Sequence, residues 1–369
     1  MKHIRGISGL FPTVVLAAAL LFPSAGRTLE KDYVSEGPVD PAEAGWVGTI
    51  RLGANLNFTH NMDVVGQENG SAVTLGGSFD GSLTYARNGH DWRNHLALLE
   101  AFSYAPPVKQ FMKTTDRLLF ETVYYYHPKK LPWLGPFARF VLDTSIFENV
   151  DYRAAPVNYQ VIGESDASGN PRIYPQRKKM HLTESFLPLT LKESVGVYAN
   201  PIRTEPVEVL IRAGFGSHQV FAEGELALKD DAATPDTIEL QRLKSYVQGG
   251  FEAALVVQGA FYDKKIGYKV YGETMIPSIR QKEPGDNRSA LDLTNVELGA
   301  LLSFKLVSWA SVDYTFKALR QPQLVDEWQI QNMLLLTFSY TYTKKSAPPA
   351  PPAPAEAPAA PAPESAPAG

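Results

Sequence analysis

Residues 334–342 read Leu-Leu-Leu-Thr-Phe-Ser-Tyr-Thr-Tyr, and every second side chain from Leu334 onward is apolar. From Thr337 onward, the residues between them carry hydroxyl groups. Because successive side chains of a β-strand point to opposite faces, this period of two predicts a strand with one apolar and one polar face. The segment therefore favours a sheet whose two faces meet different environments.

The same period of two recurs along most of the chain, and helical periodicity is hard to find after the first 26 residues. Clusters of Gly, Pro, Asn, Asp and charged residues divide the alternating segments from one another, as turns and loops do. Divided at these clusters, the sequence predicts about twelve strands, near residues 46–58, 72–86, 92–104, 114–126, 136–149, 189–199, 207–216, 245–260, 264–276, 291–305, 309–319 and 330–342.

The connections between the predicted strands alternate between short and long. The long ones are 59–71, 105–113, 150–188, 217–244, 277–290 and 320–329. Short turns on one rim and long loops on the other are typical of outer-membrane barrels. A membrane-spanning sheet must also close, because an open edge would leave backbone groups unpaired in hydrocarbon. We therefore predict an all-β fold, an antiparallel transmembrane β-barrel of about 12 strands with short periplasmic turns and long extracellular loops.

The two ends of the chain carry separate signals. Residues 1–26 combine a basic start, an apolar stretch and small residues before Arg27, which is the pattern of a signal peptide. An uncleaved membrane anchor is the alternative, although the apolar stretch is short for a span. We expect a periplasmic segment at 27–45, the barrel at 46–343 and a disordered Pro/Ala-rich tail at 344–369, which could reach the cell wall or a periplasmic protein.

The predicted location is the bacterial outer membrane, with the lipid bilayer and the barrel-insertion machinery as partners. Alternation alone does not distinguish a lipid-facing apolar face from the buried face of a soluble sandwich or solenoid. The choice rests on the signal peptide, the unequal connections and the aromatic residues near strand ends, which suit the two membrane interfaces. These aromatic residues are Trp46, Tyr85, Trp92, Tyr104, Tyr124, Tyr126, Trp133, Trp309 and Tyr342.

Composition and motifs exclude several functions. The 369 residues contain no Cys, so disulfides, thiolate zinc sites and Cys nucleophiles are absent. A formal net charge of -4 gives no reason to expect nucleic acid. The sequence has no phosphate-binding glycine loop, no Gly-x-Ser-x-Gly turn and no paired His motif, so we expect no metal, no cofactor and no enzymatic activity. His95 with Ser103 offers only a weak hydrolase alternative.

The polar face predicts what the barrel encloses. Mixed charges there would favour a narrow passive channel for small polar solutes. If opposite charges paired across the lumen, the protein would instead be a non-conducting structural or docking barrel. The predicted pore-lining residues are Arg51, Asn55, Asp80, Arg93, His95, Glu121, Arg139, Asp143, Arg212, Glu252, Lys269, Glu273, Glu297, Asp313 and Lys317.

Several short motifs between residues 46 and 215 resemble a family of bacterial β proteins known only as a domain of unknown function. They are Trp46-Val47-Gly48, Asn55-Leu56-Asn57, Gly76-Gly77-Ser78, Trp92-Arg93-Asn94, Lys113-Thr114-Thr115-Asp116-Arg117-Leu118 and Ser185-Phe186-Leu187-Pro188. The resemblance implies an outer-membrane-type β-barrel and no assigned catalytic residues.

Overall fold

A computed structural model describes residues 45–61, 70–105, 108–229, 234, 237–280 and 287–345. The predicted signal peptide, nearly all of the N-terminal segment, and the tail from residue 346 lie outside this part of the chain. The described residues form β1 (Gly45–Asn61), β2 (Gly70–Arg87), β3 (His90–Ala105), β4 (Gln110–Tyr126), β5 (Leu134–Thr144), β6 (Asn149–Ser165), β7 (Pro171–Thr183), β8 (Leu189–Arg203), β9 (Glu208–Phe221), β10 (Leu226–Leu228), β11 (Thr237–Arg242), β12 (Tyr246–Phe261), β13 (Ile266–Arg280), β14 (Asn295–Val307), β15 (Ala310–Gln321) and β16 (Val325–Lys345). None of the described segments is a helix long and apolar enough to cross a membrane.

Twelve strands close into one barrel in the order β1-β2-β3-β4-β5-β8-β9-β12-β13-β14-β15-β16. All neighbours are antiparallel, and the first strand pairs with the last, from Val47 opposite Lys345 to Asn55 opposite Thr337. Closure gives the backbone of every barrel strand a partner on both sides, which a sheet in hydrocarbon requires. The predicted fold class and the number of barrel strands are confirmed.

The outer surface of the barrel is apolar. Leu334, Phe251 and Val195 are 71%, 66% and 60% exposed, although each lies within a barrel strand. Their chain neighbours Glu252 and Ser194 are buried on the opposite face. Apolar area of this extent has no stable place in water and indicates contact with lipid. The apolar set therefore covers the outside of the barrel, and the polar set faces its interior.

Aromatic side chains gather on the outer surface near the rim of short turns. The Trp46 ring lies 4.9 Å from the Tyr85 ring and 6.1 Å from the Trp92 ring. The Trp92 indole N–H donates a hydrogen bond to the Thr122 hydroxyl at 2.8 Å. Rings with an apolar body and a polar tip suit the boundary between lipid and water, so this group marks one membrane interface.

The barrel is taller than a bilayer requires. Its strands are 11 to 21 residues long, whereas about 9 to 11 residues suffice for a transmembrane strand. The connections on one rim are 88–89, 127–133, 204–207, 262–265 and 308–309. The barrel must therefore extend beyond the hydrocarbon, and the aromatic group near the short turns indicates that it does so at the opposite rim.

That opposite rim differs from the prediction in two ways. Residues 150–188 and 217–244 are predicted as loops, but they contain β6, β7, β10 and β11, which form a separate four-stranded sheet in the order β10-β11-β6-β7. Its two edge strands approach each other, and we call this unit the roll. In addition, the predicted loop 320–329 is only residues 322–324, because β15 and β16 extend further than expected.

The roll forms because its segments bury their own apolar side chains. Tyr159, Val161 and Leu240 are fully buried in a small core that Met180 and Leu182 complete. The same period of two that produces barrel strands is present here, but the two apolar faces cover each other. These segments are strands because each strand supplies half of that core.

The chain between β9 and β12 reaches across part of the barrel mouth. Ala222, Leu243 and Tyr246 form an apolar cluster that packs against Leu324, between β15 and β16. The Gln241 side-chain amide donates a hydrogen bond to the Leu324 carbonyl oxygen at 3.3 Å. Two strands, β13 and β14, separate β12 from β15 around the wall. This segment therefore spans the rim of the barrel between β12 and β15.

Candidate functional site

The polar face of every barrel strand points into the barrel interior. Across the sheet, Arg51 lies opposite Asp80, and Asp80 lies opposite Ala97 on the next strand. The strand pairing places all fifteen predicted residues on this inward face, namely Arg51, Asn55, Asp80, Arg93, His95, Glu121, Arg139, Asp143, Arg212, Glu252, Lys269, Glu273, Glu297, Asp313 and Lys317.

Ion pairs cross the interior on one side of the barrel. Arg139 on β5 donates hydrogen bonds to Glu121 at 2.6 Å and to Glu273 at 2.8 Å. Glu121 is on the neighbouring strand, but Glu273 is on β13, which three strands (β8, β9 and β12) separate from β5 along the shorter arc of the wall. The second bond must therefore pass through the lumen rather than along the sheet.

Lys192 makes a second crossing. Its ammonium group donates to Glu273 at 3.2 Å and to Glu297 at 3.0 Å. These two carboxylates lie directly opposite each other on β13 and β14, where like charges repel. Lys317 lies 3.4 Å from Glu297, and Arg212 lies 3.8 Å from Glu273. The cations from other strands thus offset a repulsion that the β13–β14 pairing creates.

The crossing residues form a balanced set. Arg117 on β4 donates two hydrogen bonds to Asp143 on β5, at 2.9 and 2.6 Å. Five cations and five carboxylates take part, and we call them the cross-lumen network: Arg117, Arg139, Lys192, Arg212, Lys317, Glu121, Asp143, Glu252, Glu273 and Glu297. Equal numbers of the two signs let most of this set remain charged in an interior where unpaired charges are costly.

Towards the short-turn rim, the same side of the interior is filled by bulky apolar and aromatic residues. This layer consists of Val123, Tyr125, Phe137, Tyr198, Leu210 and Val256, with Tyr271 packed against it. Below it, Arg93 donates two hydrogen bonds to Asp91, and His127 contacts the same carboxylate. The layer and these ion pairs fill the part of the interior that is enclosed by β4, β5, β8, β9 and β12.

Towards the opposite rim, His218 connects two distant strands. Its Nδ1 lies 2.6 Å from the Asn295 side-chain amide, and its Nε2 lies 3.4 Å from Gln321. Between this group and the cross-lumen network is a cavity lined by residues that include Lys192 and Met275. One side of the interior is thus occupied from rim to rim, apart from this cavity.

The other side of the interior has a different lining. The inward residues of β1, β2 and β16 are mostly small, and we call them the small-residue wall: Thr49, Gly53, Asn55, Gly76, Ser78, Ser82, Thr84, Thr337, Ser339, Thr341 and Thr343. A Cβ atom on Gly76 would lie 2.3 Å from the Asn55 side-chain oxygen, so a larger residue there would have to displace the Asn55 side chain. These side chains are shorter than those of the apolar layer on the other side of the interior.

Charges are sparse beside the small-residue wall. Asp80 contacts His95 at 2.7 Å, and Arg51 lies in the electrostatic field of Asp80 and Asp313. The Asp80 side chain remains 33% exposed inside the barrel, whereas that of Arg139 is 11% exposed. Solvent therefore reaches Asp80 beside this wall more freely than it reaches Arg139, and it also reaches Arg117 of the cross-lumen network, whose side chain is 38% exposed.

The weak hydrolase alternative finds no support in the geometry. His95 contacts Asp80, while Ser103 accepts a hydrogen bond from Thr74 at 3.0 Å. Eight residues along one strand separate the two side chains by about 26 Å. In the part of the chain that the structure describes, no three His, Asp or Glu side chains are arranged to hold a metal ion.

Several interior residues were not predicted, notably Lys192, Arg117, His218 and Tyr198. The even spacing of such residues along a strand could have predicted their shared face: Lys192 and Tyr198 are six residues apart on β8 and both face inward. Glu193 is a charged residue among the apolar residues of that segment, so the sequence does not show clearly which residues of β8 face inward. In the structure Glu193 is on the outer face, within 3.3 Å of the Gln219 amide.

Comparison with known proteins finds similarity of fold only. No family model and no curated protein matches the sequence. Similar solved structures include the translocator domain of the autotransporter NalP from Neisseria meningitidis (TM-score 0.35, 7% identity, 80% of this chain and 88% of that chain) and an outer membrane channel from Pseudomonas putida F1 (TM-score 0.36, 9% identity, 83% and 100%). At these scores, the assignment rests on the barrel's own geometry.

The closed sheet and its apolar outer surface define the class of protein. It is a transmembrane antiparallel β-barrel of the kind found in bacterial outer membranes. The family resemblance of residues 46–215 stays a prediction, since no family model matches.

Proposed function

We propose that this protein is a narrow passive channel for small polar solutes in a bacterial outer membrane and that it is not an enzyme. The unequal filling of the interior carries this proposal. The cross-lumen network and the apolar layer occupy one side, and the small-residue wall lines the other. A solute that follows this wall would meet hydroxyl groups and both signs of charge, which suits polar solutes with weak charge selectivity.

Conductance of the purified protein in a planar bilayer tests the proposal. We expect small, ohmic current steps with weak cation–anion selectivity, because Arg51, Asp80 and Asp313 place opposite charges near one another. A complete lack of current at every voltage and salt concentration would contradict the proposed channel function.

A bulky residue on the small-residue wall should narrow the passage. Ser78 faces the interior beside Gly53, and its chain neighbour Phe79 faces lipid. We expect Ser78→Trp to reduce single-channel conductance by roughly twofold or more, because an indole ring occupies much of a narrow polar path. Phe79→Trp is the matched control and should conduct as the wild type does. Equal conductance of both variants and the wild type would place the passage elsewhere.

The second candidate is a non-conducting structural or docking barrel. The bonds from Arg139 and Lys192 across the lumen favour it, because they connect strands that are not neighbours in the wall. If the bilayer experiment shows no current while the protein is folded and inserted, this candidate replaces the channel.

The proposed membrane and orientation have their own test. The barrel-insertion machinery would deliver the protein so that both chain ends lie in the periplasm, which places the roll outside the cell. Since the sequence contains no Cys, single-cysteine variants report position without background. In intact cells, we expect an impermeant maleimide to label Gly169→Cys in the roll and not Lys129→Cys in a short turn. The reverse pattern would contradict the orientation.

A further inference from the structure

The connection that leads from β5 into β6 is held against the outside of the barrel wall. Asp116, on the outer face of β4, accepts hydrogen bonds from the backbone N–H groups of Ile146 and Phe147 at 2.7 and 3.0 Å. Lys113 donates to the Phe147 carbonyl oxygen at 2.9 Å, and the Phe147 ring lies 6.4 Å from the Phe102 ring. The β6–β7 hairpin therefore begins beside the outer face of the wall.

Strand β7 is an edge strand of the roll and carries three consecutive cations. We call Arg177, Lys178 and Lys179 the β7 basic run, and all three are exposed. Arg177 lies 5.4 Å from the Tyr174 ring centre, and Lys179 lies 5.6 Å from that of Tyr152. The base of the hairpin is where β6 begins, at Asn149, and β7 ends, at Thr183. Lys179 pairs with Tyr152, which is three residues from Asn149, and Arg177 is six residues from Thr183. These cations thus lie about 10 to 20 Å above the base.

The other arginines of the roll already have carboxylate partners. Arg153 binds Asp151 at 2.6 Å, and Glu164 accepts hydrogen bonds from both Arg172 and Arg242. The hydrogen bond from Arg242, supported by that from Arg172, lowers the pKa of Glu164. Among the described residues, no carboxylate lies within ion-pair distance of the β7 basic run. The positive charge of this run is therefore available to an external partner.

We propose that the β7 basic run binds the phosphate groups of the glycolipid in the outer leaflet, lipopolysaccharide. Phosphate oxygens accept charge-assisted hydrogen bonds from Arg and Lys, and the tyrosine rings hold two of the cations in place. The hairpin β6–β7 carries five basic and three acidic side chains, although the whole chain has a net charge of -4. In the proposed orientation this charge lies at the outward rim of the barrel, on the side of the membrane where the phosphate groups of the outer leaflet lie. The inference rests on the outward orientation proposed above.

Binding of purified lipopolysaccharide to the full-length protein in detergent tests the inference. We expect the variant Arg177→Gln/Lys178→Gln/Lys179→Gln to bind about tenfold more weakly, since charge-assisted contacts to phosphate are lost. Chemically dephosphorylated lipopolysaccharide should bind the wild type as weakly as the intact lipid binds this variant. The matched control, Lys129→Gln/Lys130→Gln/Lys265→Gln, removes three exposed cations from the short turns and should retain wild-type affinity.

The outcomes separate the inference from its alternatives. Equal losses in the two triple variants would show unspecific attraction and overturn the site. Unchanged affinity with increased aggregation of the β7 variant would assign the run to protection of a sheet edge instead. Because binding is measured without current, a barrel that conducts but does not bind contradicts this inference alone, and one that binds but does not conduct contradicts only the channel.

Discussion

Leu336→Arg is expected to lower the stability of the barrel in a bilayer by about 2–4 kcal/mol, or to prevent assembly. Leu336 is near the middle of β16 and pairs with Val312 on the apolar outer face. A guanidinium group there would leave water for hydrocarbon unless the bilayer deforms around it. Guanidinium-induced unfolding from vesicles measures the loss.

Thr337→Arg is the matched control for this substitution. Thr337 is the next residue but pairs with Asn55 and Ser311 on the polar inner face. An arginine there can extend into the solvated side of the lumen, so stability should remain within about 1 kcal/mol of the wild type. Equal damage by the two substitutions would contradict the assignment of the faces.

Arg139→Met is expected to destabilise the barrel by roughly 3–5 kcal/mol, because it leaves buried carboxylates without their cation. Glu121 on β4 is affected most, because Arg139 is its ion-pair partner. Glu273 retains its ion pairs with Lys192 and Arg212. The same unfolding measurement reports the effect. Arg203→Met, at the exposed end of β8, should change stability by less than about 0.5 kcal/mol.

A double variant shows whether the cross-lumen network explains this loss. Glu121→Met/Arg139→Met removes both partners and should recover part of the stability, because no carboxylate is orphaned on β4. If the double variant is as unstable as the sum of the single variants, the ion pair is not the cause.

The two faces of the barrel could be predicted because they depend on local sequence alone. In a strand the side-chain period is two, so the phase of Leu336 and Thr337 fixes which residues share a face without knowledge of the partner strand. For the same reason, the sequence assigns residues as distant as Arg51 and Lys317 to the polar face without knowledge of the strand pairing. Alternation did not say which face meets lipid.

The roll and the cross-lumen network depend on contacts that local sequence does not encode. Strand β11 pairs in parallel with β6, far away in the chain, and only that pairing distinguishes roll strands from loops. Similarly, Arg139 meets Glu273 because the curvature of the closed sheet and the strand register bring these residues of β5 and β13 to the same height across part of the lumen. A prediction of these contacts requires the stagger of all strands between them.

Nitroxide scanning along β16 tests most directly whether the apolar face of this barrel meets lipid. The absence of Cys allows single labels at successive positions from 336 to 342. In vesicles, collision with oxygen should peak at 336, 338, 340 and 342, and collision with a water-soluble nickel complex should peak at 337, 339 and 341. Low oxygen collision at the even positions, as for side chains packed in a protein core, would contradict the barrel in its membrane.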